Sequence, residues 1–135
     1  MTAENFSRAG QVVVRQVAAI GQTFFVYNPW VGLIGIVVLA VAAPHLAIGG
    51  AMASVIARFT AERVGASRAF LGTGLAELNG WFIGLACATF FAVGPGLVVS
   101  LLVGGSLGAA LSIVMHRVLA TWGVPVRFKS AVPRF

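Results

Sequence analysis

Apolar positions in this chain fall into long runs broken by Gly, Pro and charge, and four of those runs predict membrane-crossing helices. The hydrocarbon core of a bilayer is roughly 30 Å thick, which a helix of about 20 apolar residues spans. The first run, from about Trp30 to Ala43, is short and is closed by Pro44-His45. The second extends from about Leu46 to Phe59 and ends in "ARFTAERVGASR". The third covers about Phe70 to Val93, with "GPG" at Gly94 to Gly96 ending it. The fourth covers about Leu97 to Trp122 and is closed by Gly123 and Pro125. Within these runs "GGAMAS" and "GGSLGAA" offer the small-residue faces through which helices approach closely in lipid.

Ahead of the four runs lies Gly10 to Tyr27, apolar in places but interrupted by Arg15, Gln16 and Gln22. It is either a fifth span or a short segment that enters and leaves on one side. Basic residues accumulate on the cytoplasmic side of membrane proteins. With four spans from Trp30 onward, the breaks at Pro44-His45 and Gly94-Gly96 share one side and hold no Lys or Arg. Arg58, Arg63, Arg68, Arg117, Arg127, Lys129 and Arg134 fall on the other side. A non-crossing Gly10 to Tyr27 adds Arg8 and Arg15, so all nine basic residues share one face. A crossing segment would strand Arg8, so the charge count favours a short re-entrant helix.

Irregular backbone at membrane depth is tolerated where it is buried in protein or lines a wet cavity. Gln22 and Asn28 therefore point to a polar pathway, with Pro29 opening the next helix. The alternative is an amphipathic interfacial lead-in, with Tyr27 and Trp30 as belt aromatics.

Composition sharpens the class. Of 135 residues, 59% are hydrophobic and 9% charged, against roughly a quarter charged in soluble domains. The chain reads as an integral membrane protein. Its net charge of +6 then marks topogenic flanks and not a nucleic-acid surface. The lone Cys87 stands in "WFIGLACATFF" and reads as a small packing residue, with neither a disulfide nor a metal site to join. The opening "MTAENFSRAGQVVVRQ" has no removable signal pattern, so the spans are expected to direct insertion. No nucleophile–base pairing, metal-ligand spacing or phosphate loop is present, so neither an enzyme nor a cofactor is expected. His45 and His116 stand at span ends and read as interfacial.

Three motifs in order carry a further signal: "GQTFFVYNPWVG" (Gly21 to Gly32), "GLAELNGWFIGLA" (Gly74 to Ala86) and "WGVPV" (Trp122 to Val126). Together they resemble the urea transporter family. Its members read Gln-Val-x-Phe-x-Asn-Asn-Pro at the first site and Gly-Leu-x-Gly-Phe/Tyr-Asn-Gly-x-Leu-Val-Gly at the second. At the third they read Leu-Pro-Val followed by Thr-x-Pro-Phe. The resemblance covers residues 1–126 as one half-domain and leaves 127–135 as a divergent basic tail. It implies an all-α polytopic membrane fold, about four transmembrane helices after a short re-entrant helix, similar to one half of an inverted repeat. It also implies a passive channel for urea or a similar small amide, and a homo-oligomer, usually a trimer. Placement in the plasma (cell inner) membrane with both termini cytoplasmic is expected.

Carried over residue by residue, Gln22 corresponds to the pore-lining polar side chain and Phe25 to one wall of an aromatic slot. Asn28, Leu78 and Asn79 complete the expected solute path. Urea is flat and neutral, and dehydrating it without replacement hydrogen bonds costs several kcal/mol. Oxygens from Gln22 and from backbone carbonyls meet that need.

The departures are specific. Leu78 stands where the family has an aromatic, which removes the second slot wall. Glu77 stands where the family has Gly, and an intramembrane carboxylate is a functional candidate by default. The Thr-x-Pro-Phe element is replaced by "RFKSAVPRF". The chain is thus expected to be an incomplete member lacking the opposing half, with a frameshift at the tail detectable in the downstream nucleotides. Two rivals are a four-span exporter coupling protons through Glu77 and a structural subunit that packs through its glycine faces. A urea channel is indifferent to the proton gradient and an exporter is not.

Overall fold

Six α-helices form among the described residues, and their ends are set largely by proline and glycine. The structure is a computed structural model and describes residues 3–24, 26 and 28–123. Helix α1 (Ala3–Gly21) runs into a single 3-10 turn (Gln22–Phe24), and α2 (Pro29–Ala42) follows. Asn28 caps α2: its Oδ1 accepts from the Trp30 backbone N at 2.8 Å, and Pro29 occupies the first turn. That is the usual division of labour at a helix start. Ala43 alone joins α2 to α3 (Pro44–Arg63), which also begins on a proline. Then come α4 (Arg68–Leu71), α5 (Leu75–Phe90) and α6 (Pro95–Thr121).

The four expected runs correspond to α2, α3, α4 with α5, and α6. Two expectations are refined. The helix expected within Gly10 to Tyr27 begins earlier and is longer, Ala3–Gly21, and ends before the aromatic cluster. The third run is not one helix: it breaks between Leu71 and Leu75. The cause is local. Gly74 has φ +73°, the left-handed region that a β-carbon disfavours, and the Thr73 hydroxyl donates to Phe70 O at 2.6 Å. Mean hydropathy cannot register either effect.

Helices α3, α5 and α6 make the core. Arg58 pairs with Glu77 while Gly49 meets Gly84 and Ala88, so α3 and α5 are antiparallel. Ala53 meets Gly105, and Ala57 and Ala61 share a buried cluster with Ala109 and Ile113, so α3 and α6 are parallel. Helices α1 and α2 form an antiparallel pair in which Gly32 lies against the Val17 carbonyl.

The interior is made of small side chains. Ala53, Ala57, Ala61 and Ala109 are fully buried, while Val38, Val41, Leu107, Leu111 and Phe90 are exposed. Water-soluble proteins do the reverse. In lipid no hydrophobic force drives helices together, so small residues and close backbones do. The two glycine-rich stretches read from the sequence lie on these contact faces. Among the described residues one helix, Pro95–Thr121, is both long and apolar enough to cross a membrane; α2 and α5 are apolar but shorter, at 14 and 16 residues.

Candidate functional site

The break between α4 and α5 is where polar chemistry collects. Thr73 closes the turn from inside: its hydroxyl donates to Phe70 O and accepts from the Leu75 backbone N at 3.3 Å. This buried turn leaves backbone carbonyls to be satisfied from elsewhere. Gln22, in the 3-10 turn after α1, donates from Nε2 to Thr73 O at 2.9 Å. From the other side Arg58 of α3 donates from Nη1 to Leu71 O at 3.2 Å and to Glu77 Oε1 at 2.6 Å. Its Nε also donates to Glu62, one turn along the same helix.

Glu77 is 2% exposed, and a lone buried carboxylate would be costly. The Arg58 guanidinium supplies the countercharge, with only 14% of its side chain exposed. In the sequence Arg58 stands as a topogenic flank and Glu77 as a candidate coupling site. The structure instead joins them in one ion pair between α3 and α5. Glu77 Oε1 pairs with Arg58, while its buried Oε2 has no hydrogen-bond partner among the described residues. Removing one member of such a buried pair costs about 3–5 kcal/mol, because the other is left uncompensated.

An apolar cleft of about 680 Å³, lined by Thr23 of the 3-10 turn but not by Gln22, opens between α1, α2 and α5. Ile20, Thr23, Ile34, Val38, Trp81 and Leu85 are among its walls. Trp81 is 3% exposed and also packs over Gly50 of α3, which leaves no room there for a side chain. The sequence reading took Leu78 to mean the loss of an aromatic wall. Trp81, three residues on and so on a neighbouring helix face, brings an aromatic to the cleft. The buried Thr23 hydroxyl has no hydrogen-bond partner among the described residues.

The remaining expected path residues separate. Asn28 spends its side-chain oxygen on the α2 cap. Asn79 turns to α6, donating from Nδ2 to Ser112 Oγ at 2.6 Å, and Ser112 in turn donates to Gly108 O. Leu78, beside it, is half-buried. Phe25 and Tyr27 lie outside the described residues. His116 packs edge-on against Phe70, with ring centroids 5.2 Å apart. Cys87 Sγ sits 3.8 Å from Ser100 O at the α5–α6 contact, in keeping with a packing role. Thr73, Trp81 and Ser112 were missed by sequence reasoning. The two glycines that flank Thr73, Gly72 and Gly74, were the readable sign of a turn there. In comparison with known proteins, the family model described as "Urea transporter" matches residues 13–128 of this chain.

Proposed function

The chain belongs to the urea transporter family, and on that premise we propose that urea passes it downhill by way of Gln22 and the neighbouring cleft. Its function is urea transport and its place is a membrane. Gln22 is the observation that carries the path. It is half-buried, and its Nε2 is occupied by Thr73 O, which leaves Oε1 to accept an N–H from a dehydrated solute. Thr23 also lines the cleft, its hydroxyl buried and without a partner among the described residues, and Trp81 offers a flat face for a flat solute. Together these groups replace part of the hydration that urea loses on entering. Phe25, Asn28, Leu78 and Asn79 remain path residues by resemblance. Glu77 has a structural part in holding the turn.

The direct test is urea efflux from vesicles that contain the purified chain. Efflux above that of protein-free vesicles is expected, unaltered by a proton gradient of either sign. Flux that depends on the gradient would replace the channel reading with a coupled one. Such a channel chemistry extends to short amides, and a homotrimer or a complementary half-domain is the assembly in which it is proposed to act.

We also propose the inner-membrane orientation from charge. Arg63 and Arg68 flank the connection after α3, and Arg117 lies near the C-terminal end of the parallel helix α6. These three therefore share one end of the bundle, the cytoplasmic one by the positive-inside rule. A cysteine at Ser67 should react with an impermeant thiol reagent from the cytoplasm, and one at His45 from outside. Charge counting keeps Thr2 with Ser67. Labelling of a Thr2 cysteine from the outside would make α1 a crossing helix and move the N-terminus across the membrane.

A further inference from the structure

Arg58 touches three acceptors on three elements: Glu62 on its own helix, Glu77 on α5 and the Leu71 carbonyl at the end of α4. A pure ion pair needs only one of them. Leu71 O and Thr73 O belong to the same turn, two residues apart, and the second holds Gln22. We propose that Arg58 is a positioning residue for the solute path, acting through the α4–α5 turn to set Gln22 as a hydrogen-bond acceptor. The proposal rests on the reading that Gln22 lines the path.

The geometry gives the reason. An amide has one oxygen and one NH₂ at the ends of a planar fork. Thr73 O can only accept, so it selects the Gln22 nitrogen, and flipping the amide would set two acceptors against each other. Gln22 Oε1, with no hydrogen-bond partner among the described residues, is thereby left as the free end. The orientation holds only while Thr73 O stays in place. Thr73, 8% exposed, is fixed from within by its own hydroxyl. The Arg58 guanidinium fixes the turn from outside at Leu71 O, and Glu77 anchors the guanidinium. A planar, rigid fork of donors suits this bridging as a lysine ammonium does not. The sidedness has a chemical consequence. A path that presents an acceptor favours solutes rich in N–H donors, and urea has four.

The test reads Gln22 itself. In nitrogen-labelled protein in detergent micelles, hydrogen exchange of the Gln22 side-chain amide is followed by NMR, with the Trp30 backbone amide as an internal control. The double variant Arg58→Met/Glu77→Met removes both charges of the buried pair together and leaves only the exposed Glu62 without its partner. In it the Gln22 side-chain amide should exchange roughly tenfold faster, the scale of one lost hydrogen bond, while Trp30 keeps its wild-type rate. The urea-to-water permeability ratio in vesicles should fall as well, a ratio that does not depend on how much protein is folded. Unchanged Gln22 exchange in the folded double variant would overturn the proposal. Should that variant not fold, Thr73→Val decides: it deletes the internal closure of the turn, and faster Gln22 exchange is again the expected result, no change the overturning one. Failure of the path reading looks different. It would appear as unchanged urea flux in Gln22→Leu, while the faster Gln22 exchange in the double variant would still be seen.

Discussion

Gln22→Leu is expected to cut urea permeation roughly five- to 150-fold, with insertion and helix content intact. An unmade hydrogen bond in a water-poor place costs about 1–3 kcal/mol, and each 1.36 kcal/mol is a factor of ten in rate. Leucine keeps the approximate bulk but removes both ends of the amide. The solute loses the Oε1 acceptor, and Thr73 O loses its donor. The second loss falls on stability and the first on transport, so the two can be measured apart. Urea efflux is read in vesicles by light scattering, in whatever assembly conducts, and melting is followed in detergent by circular dichroism. A modest fall in melting temperature together with a large fall in flux is the expected pairing. Wild-type flux in this variant would reduce the segment around Gln22 to an interfacial lead-in.

Gly84→Leu is expected to disrupt the bundle itself. A β-carbon at Gly84 would fall 2.7 Å from the α-carbon of Gly50 and equally close to the carbonyl carbon of Gly49. Both are backbone atoms of α3, so no side-chain rotation relieves the clash, and the two helices must separate. Overpacking costs typically about 1–3 kcal/mol where neighbours can adjust. Here they cannot, so the loss should reach or exceed the upper end of that range. The matched control is Gly96→Leu, since nothing lies within 4 Å of a β-carbon there. It should melt within a few degrees of wild type, and the added helix propensity works in its favour. Thermal unfolding in detergent distinguishes the pair. Equal melting of Gly84→Leu and wild type would mean that α3 and α5 do not meet backbone to backbone.

The site was only partly legible in the sequence. Gln22 stood out because a polar amide in an apolar chain needs a reason. Asn28 stood out too, but its nearest donor is the cap of the helix it precedes, and that local bond claims its oxygen. Glu77 was conspicuous, while its partner Arg58 was hidden among basic residues that all looked topogenic. Nineteen positions separate them, and no local spacing rule reaches that far. Trp81 looked like one more apolar residue until α1 and α2 were placed beside it.

What the sequence by itself determined was the class and the punctuation. Scarce charge and long apolar runs require a membrane, and prolines at 29, 44 and 95 each open a helix because a missing N–H costs nothing in a first turn. The paired glycines announced close helix contacts, and the ordered motifs pointed to the family that residues 13–128 match. Only the tertiary structure decided which faces those helices share, where the third run breaks, and which carbonyl holds Gln22. The physical reason is that lipid and protein interior are both apolar. In a water-soluble chain the alternation of polar and apolar positions tells the outside of a helix from the inside. Here both sides are apolar, so the difference lies in side-chain size and in bonds between distant polar groups, which form only once the helices are packed.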